Sequence, residues 1–221
     1  MSLKQIKNLA DAGCEIARLA VLNKDAAEAI KDIVKKSPIP LVADIHFDYR
    51  IAVSCAKAGI DKIRINPGNI GDDIRVREVV KACKEYGIPI RIGVNSGSLE
   101  KEILKKYQAP TADALCESAM YHVSLLEKFN FEDIVISIKA SDPYQMISAN
   151  RKLASLCKYP LHLGVTEAGL KDMGSVKSAI GIGALLCDGI GDTLRVSLTA
   201  DPLREVEAGR DLLAAVGIAY V

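Results

Sequence analysis

The chain has 221 residues, a formal net charge of +1, 49% hydrophobic residues, 5% aromatics and no Trp. Roughly 200–250 residues is the usual size of one α/β barrel, so the length does not call for two domains. The near-zero charge excludes a global field that recruits nucleic acid or an anionic membrane, and a core of Ile, Val, Leu and Ala is what parallel sheets require. In chain order, a short helix is expected over residues 4–12, followed by a strand at 15–21 (EIARLAV) and a helix at 24–36. A second strand, LVADIHF (41–47), leads to a helix at 48–58. The third, KIRINPG (62–68), leads to one at 73–86, and the fourth, IRIGVN (90–95), to one at 111–128. IVISIKA (134–140), LHLGVTE (161–167) and TLRVSLT (193–199) follow as strands, with helices at 143–157, 174–187 and 202–215. β-Rich apolar runs mark the strands, and 3.6-residue periodicity marks the helices. Pro38, Pro40, Pro89 and Pro160 fall just before strands, where a helix has already ended.

Strict alternation implies parallel strands and right-handed crossovers. The sequence therefore predicts an α/β fold, a TIM-type (β/α)8 barrel that lacks its first strand, with seven strands and eight helices. The reading takes residues 1–221 as one domain, with repetition visible only at the level of the β-α unit. An open barrel leaves two unpaired edges. The tail GIAYV (217–221) is a candidate to fill the gap, and a partner chain is the other.

Six cysteines, Cys14, Cys55, Cys83, Cys116, Cys157 and Cys187, lie far apart without a Cys-x-x-Cys pair. They read as small hydrophobes in a reduced, cytoplasmic setting, and no metal site is expected within the chain. No signal peptide or membrane span is expected.

Polar residues gather where the strands end. Arg18 lies in the first strand, Asp44 and His46 in the second, Arg64 and Asn66 in the third. Arg91 and Asn95 are in the fourth, Ser137 and Lys139 in the fifth, Thr166 and Glu167 close the sixth, and Arg195 and Ser197 are in the seventh. Spacing of two sends both members of a pair to one face, which in a barrel is the lumen. Taken singly, a strand arginine is ordinarily a solvated edge residue. Together, four arginines and a lysine at one mouth repel each other unless an anion holds them, and guanidinium forks suit phosphate oxygens. A small multiply charged anion, best a diphosphate, is the expected ligand. Glu167 is the one carboxylate and His46 the one imidazole available there for proton transfer. IGIGALL (180–186) lies inside a helix, so its glycines read as packing, and His122 and His162 read as structural.

PLVADIHFDYRIA (40–52), IRINPGNIG (63–71), IPIRIGVNSGSLEK (88–101), ISIKASD (136–142), LHLGVTEAG (161–169), VKSAIGIGALL (176–186) and GDTLRVSLTADP (191–202) resemble the bacterial 4-hydroxy-3-methylbut-2-enyl diphosphate synthase family of the methylerythritol phosphate route to isoprenoids. The resemblance implies a TIM-type barrel that binds 2-C-methyl-D-erythritol 2,4-cyclodiphosphate. It also implies a separate C-terminal domain with a four-iron four-sulfur cluster, electrons from flavodoxin or ferredoxin, and a homodimer. It implies diphosphate contacts from Arg18, Arg64, Asn66, Arg91, Asn95, Lys139, Arg195 and Ser197, with Thr166 beside them. Glu167 becomes the leading proton-transfer residue and His46 a neighbour of the substrate.

The family's first strand and its cluster-binding cysteine segments have no counterpart in these residues. The chain by itself is expected to be an inactive, substrate-binding barrel domain with no cluster ligand. Two alternatives stay open. One is a non-redox phosphate-sugar barrel enzyme of aldolase or isomerase type, with Lys139 as a Schiff-base former. The other is a non-enzymatic truncated fragment.

Overall fold

The computed structural model describes residues 2–218. After helix α1 (Leu3–Asp11), strands and helices alternate: β1 (Ala17–Ala20), α2 (Lys24–Lys36), β2 (Leu41–Asp44), α3 (Tyr49–Lys57) and β3 (Lys62–Ile65). Next come α4 (Pro67–Ile70), α5 (Asp73–Tyr86), β4 (Ile90–Asn95), α6 (Lys101–Tyr107), α7 (Ala112–Glu127) and β5 (Ile134–Lys139). The chain continues through α8 (Pro143–Leu156), β6 (His162–Leu163), α9 (Lys171–Cys187), β7 (Thr193–Leu194) and α10 (Pro202–Ala215). All seven expected strands are present among the described residues. No helix among them is long and apolar enough to cross a membrane.

Contacts divide the chain into two compact units, one of residues 1–92 and 121–135, the other of 93–120 and 136–221. In the first, β1, β2, β3 and β4 pair in that order, all parallel. Leu41, Ala43, Ile45, Ile63, Ile65, Ile90 and Ile92 are buried, as expected for strands covered by helices on one face and packed on the other. α3 packs against both α2 and α5. In the second unit, Ile136 bridges to Leu161, and β6 pairs with β7, again in parallel. There α9 packs between α8 and α10.

The helices begin where short polar side chains cap them. Asn23 accepts from the Ala26 amide at 2.9 Å, Asp72 from Arg75 at 3.0 Å, Asp142 from Tyr144 at 3.1 Å and Asp201 from Leu203 at 2.9 Å. Pro143 and Pro202 follow two of these caps at the first helical turn, where a missing N–H costs nothing.

The two units share one local construction. In the first, Ala17 N–H bonds to Pro40 O, Leu41 N–H bonds to Asp61 Oδ2 at 2.8 Å, and Ile60 N–H returns to Cys55 O. In the second, Ile136 N–H bonds to Pro160 O, Leu161 N–H to Asp192 Oδ2 at 2.7 Å, and Ile190 N–H to Leu185 O. The register agrees as well: Ala43 faces Ile63, and Leu163 faces Leu194. Repetition therefore extends past the β-α unit to matched positions, Asp44 with Gly164 and Arg64 with Arg195.

Three expectations are corrected. β6 and β7 are two residues each, where the sequence suggested runs over 161–167 and 193–199. Gly164 and the polar residues after it do not sustain a regular ladder, although Arg195 N–H still reaches Leu163 O at 2.9 Å and Thr166 N–H reaches Ala140 O at 3.1 Å. Helix α4 stands where only an Asn-Pro-Gly-Asn turn was expected, because Asn66 Oδ1 caps Gly68 N–H at 3.0 Å and Pro67 takes the first turn. Helix α6 was not foreseen either; it buries a single apolar residue, Ile103, too few for a periodic signal. Glycines 181 and 183 lie inside α9 as expected, and a Cβ on Gly181 would come within 2.8 Å of Val165 Cγ2, so packing explains that glycine. The candidate edge filler, residues 217–221, falls outside the described residues from 219 onward.

Candidate anion-binding site

In the first unit the site is built on one row of the sheet. Asp44 of β2 faces Arg64 of β3, and Arg64 faces Arg91 of β4. Parallel, in-register strands point facing residues to the same side. Arg18 reaches this row from β1. Its Nη1 lies 2.5 Å from Asp44 Oδ2, while Arg64 Nη1 lies 3.0 Å from Asp44 Oδ1. One carboxylate thus holds two guanidinium groups, an oxygen to each. The Asp44 side chain is 5% exposed, Arg64 12% and Arg18 35%. His46 follows β2, with Nε2 3.9 Å from Asp44 Oδ2.

Burial opposes ionisation of Asp44, but the Arg64 and Arg18 charges and the hydrogen bond from Arg64 outweigh it. Its pKa consequently lies below the ordinary carboxylate value. Lys62 stands two residues before Arg64, on the same face; burial and the Arg91 charge both lower its pKa. Arg91 and Asn66 are buried. The Asn66 side chain has a structural task as well as a candidate one, since its Oδ1 caps α4.

In the second unit, Arg195 donates through Nε to Glu205 Oε2 at 3.3 Å and through Nη2 to Ser197 Oγ at 3.3 Å. Glu205 of α10 also accepts from Leu198 N–H at 2.9 Å, which ties it to the segment it serves. Lys139 ends β5, and its Nζ lies 2.8 Å from where a Cβ on Gly164 would stand. Asn95 ends β4, half-buried. Thr166 is half-buried and Glu167 exposed; Glu167 takes φ 50, a left-handed conformation uncommon for a residue with a side chain. Such a backbone persists where the surroundings impose it, and functional loops collect such positions.

The structure thus brings Arg18, His46 and Arg64 together around Asp44, sets Arg91 in the same row, and joins Arg195 to Ser197. It corrects the expectation that only a bound anion can hold the arginines: Asp44 and Glu205 are internal counter-ions. The sequence carried a signal for Asp44, its spacing of two from His46, but not the strand register that aims it at Arg64. Glu205 gave no such signal, because it reaches Arg195 from a helix. His162 is structural as expected, with Nδ1 2.8 Å from Thr193 Oγ1. Burial pushes the Cys55 and Cys83 thiols up to about 12 and Cys116 to about 11, which suits packing rather than reactivity.

Residues 1–210 match the family described as the GcpE TIM-barrel domain. The chain is 63% identical over 212 residues to the 4-hydroxy-3-methylbut-2-en-1-yl diphosphate synthase (flavodoxin) of Fusobacterium nucleatum, covering 96% of this chain and 60% of that protein. It is 61% identical to the protein of that name from Clostridium perfringens, covering 98% and 62%. The chain therefore spans about 60% of the length of these curated relatives. Among solved structures, a truncated 3-deoxy-D-arabino-heptulosonate 7-phosphate synthase from Thermotoga maritima aligns with a TM-score of 0.66 at 13% identity, covering 97% of this chain and 82% of that one. Dihydropteroate synthase from Yersinia pestis aligns at 0.61 and 14%, covering 97% and 88%. At these identities the likeness speaks to the fold alone.

Proposed function

The chain belongs to the GcpE TIM-barrel family, and from that premise we propose that it binds 2-C-methyl-D-erythritol 2,4-cyclodiphosphate. The bound ligand is then converted reductively to the diphosphate that its relatives are named for making. The observation that carries the reading is the row Asp44, Arg64 and Arg91, with Arg18 held onto it from the neighbouring strand. Guanidinium groups gathered on three strands of one sheet present planar N–H forks that suit bidentate contact with phosphate oxygens.

Arg18, Arg64, Asn66 and Arg91 of the first unit and Asn95, Lys139, Thr166, Arg195 and Ser197 of the second are assigned to substrate binding. Guanidinium and ammonium groups take the phosphate oxygens, and the amide and hydroxyl groups supply neutral donors. Opening the ring and expelling water requires a proton at the departing hydroxyl. Glu167 is assigned that transfer, and His46, beside Asp44, is assigned to the substrate's polar groups.

The reduction in this family implies a four-iron four-sulfur cluster. Among the described residues no three His, Cys, Asp or Glu side chains group so as to hold a metal ion, and Cys55, Cys83 and Cys116 are separately buried. These residues do not fit a cluster, so no redox step is assigned to them. Flavodoxin as electron donor, as in the relatives' names, a homodimeric assembly and a cytoplasmic location complete the proposal.

Titration calorimetry of the chain with the cyclic diphosphate tests the reading. Saturable binding is expected, with none for the dephosphorylated polyol, 2-C-methyl-D-erythritol. A folded chain that takes up no cyclic diphosphate overturns it.

A further inference from the structure

We propose that Asp44 is a positioning residue for the diphosphate site, holding the guanidinium groups of Arg18 and Arg64 in the arrangement that receives the anion. The inference rests on the proposed function and adds to it a residue that touches the arginines rather than the ligand.

Charge alone argues against a carboxylate here. A buried Asp beside a diphosphate repels it, and in a weakly solvated site that repulsion is not negligible. Its side chain is nonetheless 5% exposed and ionised at neutral pH, with both oxygens committed to arginines. A gain must offset the repulsion.

The fold does not supply that gain. At the matched position of the second unit stands Gly164, one residue past the last paired position, Leu163 with Leu194, with Arg195 O 2.8 Å from where its Cβ would stand and with the same Pro, Leu and Asp hydrogen bonds closing the strands before it. That construction closes without a carboxylate, so the strand geometry does not demand Asp44. What differs is the neighbourhood. In the second unit Arg195 is tethered from outside the strands by Glu205, whereas in the first unit Arg18 and Arg64 have Asp44 between them.

The contact geometry indicates the gain. Each arginine touches Asp44 through Nη1. A guanidinium is a rigid planar fork of five N–H donors, so fixing one corner restricts the direction of the others. An unpaired arginine has long-chain rotamer freedom to lose on binding, and a site that has already lost it binds a shaped anion more tightly. The charged groups facing Asp44 are Arg18 from β1, Arg64 from β3 and His46 from the segment after β2, with Arg91 next along the row.

The test compares Asp44→Asn with wild type for two probes, the cyclic diphosphate and inorganic pyrophosphate, by calorimetry at fixed ionic strength. The Arg Nε–Hε signals of the ligand-free proteins are recorded by NMR alongside. Asp44→Asn raises the net charge by one, so charge alone tightens both anions. Positioning predicts the opposite for the shaped ligand: cyclic diphosphate weakens by about tenfold or more while pyrophosphate changes by less than about threefold. The Arg18 and Arg64 Hε signals move toward the solvent-exposed position. Equal or tighter binding of the cyclic diphosphate by folded Asp44→Asn overturns the proposal. So do unchanged Arg18 and Arg64 signals, a readout that stands even if wild type binds neither probe and the proposed function falls. Should Asp44→Asn not fold, Asp44→Glu keeps the charge and shifts the carboxylate by one methylene. Weakened cyclic diphosphate binding then supports positioning, and unaltered binding refutes it.

Discussion

The β2–β3 pair and the β6–β7 pair are two versions of one construction with opposite contents. In the first, Asp44 fills the position beside Arg64 and serves as counter-ion to two arginines. In the second, Gly164 has no side chain there, and the Lys139 ammonium lies 2.8 Å from where one would begin. The second arginine of the comparison, Arg195, takes its counter-charge from Glu205 on α10. One backbone arrangement therefore serves either a clamp built within the sheet or a gap filled from the adjacent strand. What a strand end offers a ligand depends on the single residue facing the arginine.

Breaking the clamp outright has the largest expected effect. Asp44→Ala leaves Arg64 buried without its counter-ion and is expected to cost about 3 kcal/mol of stability, read as a lower urea midpoint. Filling the gap comes next. A methyl group in Gly164→Ala meets Arg195 O and Lys139 Nζ, both at 2.8 Å, and the backbone oxygen yields less readily than a side chain. A loss of about 2 kcal/mol is expected, together with a displaced Lys139 in a crystal structure of the variant.

Acid exposes the clamp in a graded way. The Asp44 pKa is lowered in the folded protein, so the unfolded chain binds its proton first as pH falls. The contribution is complete above about pH 4 and disappears as pH drops through the folded value. Wild type is expected to lose stability more steeply than Asp44→Asn below about pH 4, in urea melts across that range. Equal slopes would place the acid sensitivity elsewhere. The smallest effect belongs to the tether: Arg195 is 34% exposed, so Glu205→Gln is expected to cost under about 1 kcal/mol. Thermal melts check it, and a larger loss would make the second unit a clamp like the first.

Much of this was legible in the sequence. Strand positions follow from runs such as LVADI and KIRI, because β-branched and apolar residues suit a doubly covered sheet. The inward face of Arg64 follows from period 2 along the strand. The counter-ions were not legible, because Asp44 meets Arg64 through strand register, and Glu205 meets Arg195 through helix packing ten residues on. The short β6 and β7 escaped for a related reason: the apolar run around Val165 continues after Gly164 has ended the ladder. The matched construction of the units stayed hidden because α9, with 17 residues, is longer than α3, with 9. Spacing from Leu161 to Asp192 therefore differs from that between Leu41 and Asp61, although the hydrogen bonds agree.

Arg18, Arg64 and Arg91 of the first unit are proposed to bind the cyclic diphosphate, and calorimetry with Arg64→Ala and Arg91→Ala, each against wild type, tests this most directly. Each substitution is expected to weaken binding by about tenfold or more, as for loss of a charge-assisted contact to phosphate. A folded variant of either kind that binds as tightly as wild type contradicts the proposal.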